Sequence, residues 1–81
     1  MNPPGTAQVL HAFGRKLREI RRVRQMTQQE LAIRSGLHVS QIGRIERGVL
    51  NARISAVFTL AHALNVHPKE LMEFSARHYR R

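Results

Sequence analysis

The stretch Thr27-Gln28-Gln29-Glu30-Leu31-Ala32-Ile33-Arg34-Ser35-Gly36-Leu37-His38-Val39-Ser40-Gln41-Ile42-Gly43-Arg44-Ile45-Glu46-Arg47-Gly48 decides the fold. Thr27 and Glu30 have the spacing of a capping box, in which the Thr hydroxyl accepts from the third helical amide and the Glu carboxylate reaches back to the cap amide. A short helix starts there with Leu31 and Ala32 inward, and Gly36 is placed to take the left-handed conformation that ends it. Leu37 and His38 form a turn. From Val39 to Arg47 a second helix has Ile42 and Ile45 on one side and Ser40, Gln41 and Arg44 on the other, and Gly48 stops it. Ala32 must be small because two helices cross there at close range, Gly36 turns the chain sharply, and Ile42 locks the second helix against the first.

Toward the amino terminus, Leu10, Phe13, Leu17 and Ile20 recur at intervals of three and four. They predict an amphipathic helix from Ala7 to about Arg24, with Arg15, Lys16, Arg18, Arg22 and Arg24 largely off the apolar stripe. Residues 1–6, with Pro3, Pro4 and Gly5, read as a frayed lead-in. Toward the carboxy terminus, residues 49–53 form a loop, and Ile54, Val57, Leu60, Ala61 and Leu64 mark a fourth helix whose wide apolar side should be mostly buried. Pro68 suits the first position of a fifth helix containing Leu71 and Phe74. Residues 75–81 are a polar, basic tail. Nothing alternates with period two, so the expected architecture is an all-α, compact five-helix domain over residues 7–74.

The chain has 81 residues, no cysteine and a formal net charge of +9. One domain is all that length allows, and packing without disulfides or thiolate metal sites must hold it together. No signal-peptide pattern and no membrane-length apolar run is present, so a soluble cytoplasmic protein is expected. The excess of basic residues, mostly Arg, suits a polyphosphate partner, because each contact displaces condensed counterions. A membrane surface fits less well, since the charge is not gathered on one face with aromatic anchors. His11, His38, His62, His67 and His78 show no paired spacing, and no Cys or Asp joins them, so neither a metal nor a cofactor is implied. No nucleophile sits with a base and no carboxylates pair, which argues against an enzyme.

Gln28-Gln29-Glu30-Leu31-Ala32 with Gly36, then Ile42, Ile45, Glu46 and Gly48, then Leu60-Ala61-His62-Ala63-Leu64, closely resembles the phage repressor family, the Cro and cI type of helix-turn-helix. The likeness spans residues 13–74 and is similar to that of stand-alone members such as restriction-modification controller proteins. It implies a lambda-repressor-like fold and a transcription regulator that binds a two-fold symmetric operator in double-stranded DNA as a homodimer. Val39, Ser40, Gln41 and Arg44 would then read base edges: Val39 against a thymine methyl, Ser40 as donor or acceptor, Arg44 forked onto guanine. The alternatives, a packing role for Val39 and a solvated charge at Arg44, stay open.

Gln28, His38, Arg47 and Arg53 match or neighbour phosphate-contacting positions. The resemblance also pairs Arg21 with Glu46. Many relatives have a hydroxyl cap where this chain has Ala52-Arg53, so either Asn51 caps the fourth helix or its start shifts. Phe58, Met72 and Phe74 are candidates for the dimer surface, unless they simply complete the core. A rival reading is an antitoxin-type module whose main role is binding a partner protein.

Overall fold

The computed structural model describes residues 4–75 and builds them into five helices: α1 (Thr6–Val23), α2 (Gln28–Ser35), α3 (Val39–Glu46), α4 (Ile54–Leu64) and α5 (Pro68–Leu71). The capping box of α2 is present in both directions. Thr27 Oγ1 accepts from the Glu30 amide at 3.0 Å, and Glu30 Oε1 accepts from the Thr27 amide at 2.9 Å. Gly36 ends α2 with φ 76°.

Three helices close with one device. Met26 N–H reaches the Arg21 carbonyl, Val49 N–H that of Arg44, and Val66 N–H that of Ala61, each at 3.0 Å. The residues just before these donors, Gln25, Gly48 and Asn65, all have positive φ. This six-to-one closure satisfies carbonyls that the last helical turn leaves open and turns the chain back across the core. α5 is capped by His67, whose Nδ1 accepts from the Lys69 amide at 3.1 Å.

Every helix sends a fully buried side chain to one core: Leu17 from α1, Leu31 from α2, Ile42 from α3, Leu60 and Leu64 from α4, and Leu71 from α5. Ala32 is buried, as a close crossing of α2 requires. Among the described residues there is no strand, and no helix is long and apolar enough to cross a membrane.

The structure departs from the sequence reading in four places. α1 begins at Thr6, with the Gly5 amide donating to Gln8 Oε1 at 2.6 Å. α4 starts directly after Arg53 with no side-chain cap, so Asn51 does not serve as one. Ile54 is 72% exposed rather than buried, because it sits on the first turn of α4, before the chain has entered the core. α5 stops at Leu71, and the chain turns so that Phe74 meets Phe13 edge-on, ring centroids 6.4 Å apart. His78 and most of the expected tail, residues 76–81, lie outside the described residues, as do residues 1–3 of the lead-in.

Candidate nucleic-acid interface

α3 presents Val39, Ser40, Arg44 and Arg47 to solvent while Ile42 and Ile45 hold it to the core. Ser40, Arg44 and Arg47, spaced by four and three, share one face of the helix, and Val39 stands at its edge, about 100° from Ser40 and 140° from Arg44. Val39 is 45% exposed, leaving its methyl groups available to an apolar partner. Gln41 is more constrained than its sequence position suggests. It is half-buried, and its Oε1 accepts from the His38 amide at 2.9 Å, so only its NH2 group remains to offer a base edge. His38, the residue before α3, is exposed and makes no side-chain cap.

Behind α3 lies a buried polar network. Arg21 Nε and Nη2 fork onto Glu46 Oε2 and Oε1 at 2.6 and 2.9 Å, and Arg21 Nη1 donates to the Met26 carbonyl at 2.8 Å. Gln28 Nε2 donates to Glu46 Oε1 at 3.1 Å. The Glu46 hydrogen bond holds the Arg21 guanidinium more firmly protonated than usual, outweighing the opposing effect of burial. Among the described residues no buried side-chain donor or acceptor goes unpartnered. Glu46 is the sole acid between Leu31 and Lys69, so the network removes the one charge in that stretch that would repel phosphate.

Gln28 is therefore half-buried at the start of α2, with one N–H committed to Glu46. Its second N–H and the unpaired amides of the first turn of α2 stay available to an anion. Arg47 approaches the same place: a Cβ on Gly43 would lie 3.2 Å from Arg47 Nη1 and 3.8 Å from Gln28 Oε1. Gly43 thus leaves the space in which Gln28 and Arg47 converge. Arg53 is on the other flank, where it lines a groove with Gln41, Asn51 and Ser55. The exposed row on α3 accordingly has a donor cluster on one side and a cation on the other.

One position escaped the sequence reading and a second was misread as buried. A Cβ on Gly14 would run into the Ile45 carbonyl oxygen and lie 2.6 Å from that of Glu46, so α1 crosses the carboxy-terminal end of α3 in backbone contact. The signal was present, since glycine inside a helix costs about 1 kcal/mol and needs a compensating reason. Exposed Ile54 is the second, and it stands one turn before Phe58, which is 58% exposed. Met72 is 50% exposed, whereas Phe74 is half-buried against the core, which leaves it little surface to offer a partner.

The helix-turn-helix family profile matches residues 17–71. The chain is 39% identical over 64 residues to the control protein C.BamHI of Bacillus amyloliquefaciens, covering 78% of this chain and 79% of that one. It is 38% identical over 56 residues to the control protein C.SmaI of Serratia marcescens, covering 69% and 67%. Among solved structures it is similar to the restriction-modification controller protein C.AhdI of Aeromonas hydrophila, at 42% identity and a TM-score of 0.75, covering 76% of this chain and 94% of that one.

Proposed function

The chain belongs to this helix-turn-helix family, and from that premise we propose that it is a sequence-specific transcription regulator of the restriction-modification controller type, binding a two-fold symmetric operator as a homodimer. The observation that carries the reading is the joint arrangement around α3. Val39, Ser40 and Arg44 are exposed on one broad side of the helix, Gln28 and Arg47 converge beside it, and Glu46 is buried and ion-paired with Arg21 behind it. In this reading α3 lies in the major groove, Arg44 forks onto a guanine, and Gln28, Arg47 and Arg53 hold the phosphates on either side. His38 adds a donor at the start of the groove helix. The single domain, residues 7–74, supplies one half-site's contacts, and pairing two copies supplies the rest.

The test separates reading from positioning. Arg44→Ala should lose about 1–3 kcal/mol on the preferred operator and relax preference at one base pair per half-site, while Gln28→Ala should weaken all sequences about equally. Binding of both variants to a panel of single-base operator changes decides it. A uniform loss for Arg44→Ala would make Arg44 a backbone contact and move specificity to Val39, Ser40 and the Gln41 amide.

A further inference from the structure

Gly14 fixes which way the solvent face of α1 points. It touches the carbonyl oxygens of Ile45 and Glu46, so the side of α1 at Gly14 faces the carboxy-terminal end of α3. At 3.6 residues per turn, Arg18, His11 and Arg22 stand about 40°, 60° and 80° further round the helix from Gly14, on the side away from Phe13 and Leu17. All three are exposed. The row runs from His11 to Arg22, roughly 16 Å of helix, and carries no acid along its line. Its amino-terminal end meets the face already described: a Cβ on Gly48 would lie 2.8 Å from His11 Nδ1, and Gly48 follows Arg47 directly.

Among the described residues neither nearby acid is ion-paired with this row. Glu19 is bonded to Lys16 at 3.1 Å, and Glu73 lines a groove with Arg18 and Arg22 without pairing with either. Two arginines without acidic partners on one edge of α1, continuous with the phosphate-holding side of α3, suit a linear polyanion better than a point ligand. Double-stranded DNA carries about one charge per 1.7 Å of axis, so a row of this length matches several phosphates.

We propose that Arg18 and Arg22, with His11 at the junction, form a second backbone-binding ridge that carries the operator duplex beyond the half-site read by α3. The proposal rests on the DNA-binding reading above and extends its footprint. The ridge contacts no base. It adds affinity only when flanking duplex is present, and bending of that duplex toward α1 brings the phosphates to the arginines.

The experiment uses the full chain and two duplexes selected from a randomised pool. One is trimmed to the shortest length that keeps sequence preference; the other carries mixed-sequence flanks of about one helical turn, ~10 base pairs, on each side. The parent protein should bind the flanked duplex about tenfold more tightly at low salt, with a log–log salt slope steeper by about two units per subunit. Arg18→Gln with Arg22→Gln should erase that gain and bind the trimmed duplex like the parent, while the double Lys variant should keep it. If the double Gln variant does not fold, Arg22→Gln alone should show half of the slope change. A parent that binds both duplexes equally overturns the ridge and leaves the α3 reading standing. The same loss on both duplexes, or no loss on either, also overturns it. A randomised pool from which the parent selects no preferred sequence removes the underlying DNA reading and the ridge with it.

Discussion

Beside the buried Ile42 and Ile45, Gly14 and Glu46 help to place α3, and each fails in its own way when changed. Gly14→Ala drives a methyl group into the backbone of Ile45 and Glu46, and backbone cannot swing aside as a side chain can. The expected cost is about 1–3 kcal/mol, read as a lower melting temperature. Any loss of DNA affinity measured below the transition should follow from a displaced α3. A variant that melts with the parent would show that α1 and α3 can separate freely. Glu46→Ala leaves the Arg21 guanidinium buried without its carboxylate and removes the acceptor that holds Gln28. Breaking a buried pair in this way typically costs about 3–5 kcal/mol, and this pair, at the edge of the core, belongs at the lower end. The check is a denaturation series on Glu46→Ala beside the Arg21→Met, Glu46→Met double variant, which removes both charges. If the double variant is at least as unstable as the single one, the stranded charge is not the cause.

At the scale of elements, the starts of α2 and α4 make opposite predictions. α2 has a complete capping box, and the Thr27 amide and hydroxyl lower the Glu30 carboxyl below its ordinary value of 4.5. A carboxyl lowered on folding adds stability above its unfolded value and loses it as pH falls through the folded one. Thr27→Ala should lower the melting temperature near neutrality by loss of the cap, with the gap from the parent narrowing as pH falls below the ordinary carboxyl value of 4.5. Thermal melts across that range test it. α4 has no side-chain cap, so Arg53→Ser should raise the melting temperature while weakening DNA binding, because a cap worth about 0.5–2 kcal/mol replaces the phosphate contact proposed for Arg53. A variant that gains in both would free Arg53 from any role on DNA. The capping box, Gly36 and Pro68 were legible in the sequence because each is a local signal whose partners lie within four residues. Phe74 and Ile54 were misjudged because periodicity tells which residues are apolar, not where a helix meets the core. Gln28 looked free because its partner, the Glu46 carboxylate, is distant in sequence and meets it only once α2 and α3 are packed, whereas the bond of Gln41 to the His38 amide is as local as the capping box of α2 and was there to be read.

The whole molecule is small, with a Cα radius of gyration of 12.1 Å, and one such copy reaches too few bases to select a site among many competitors. Two copies on a two-fold operator meet that need, provided that a surface joins them. Ile54 and Phe58 stand one turn apart on the outside of α4, 72% and 58% exposed, and Met72 just past α5 is 50% exposed. Neighbours at that spacing form a continuous apolar ridge, and burying it against its own copy removes it from water. Replacing Ile54 and Phe58 with Ser changes neither the net charge nor the core, which is closed by Val57, Leu60, Ala61 and Leu64. The double variant should keep the parent's helical content and melting behaviour at low concentration, yet sediment as a monomer. It should bind a single half-site with the parent's intrinsic affinity, while its apparent affinity for the paired operator falls by about a hundredfold or more, because two sites are no longer linked. Val23→Ser is the control: Val23 is 75% exposed on α1, away from the ridge, and its loss should change neither mass nor operator binding. A double variant that still sediments as a dimer would place the joint elsewhere, and one that unfolds would return Phe58 to the core.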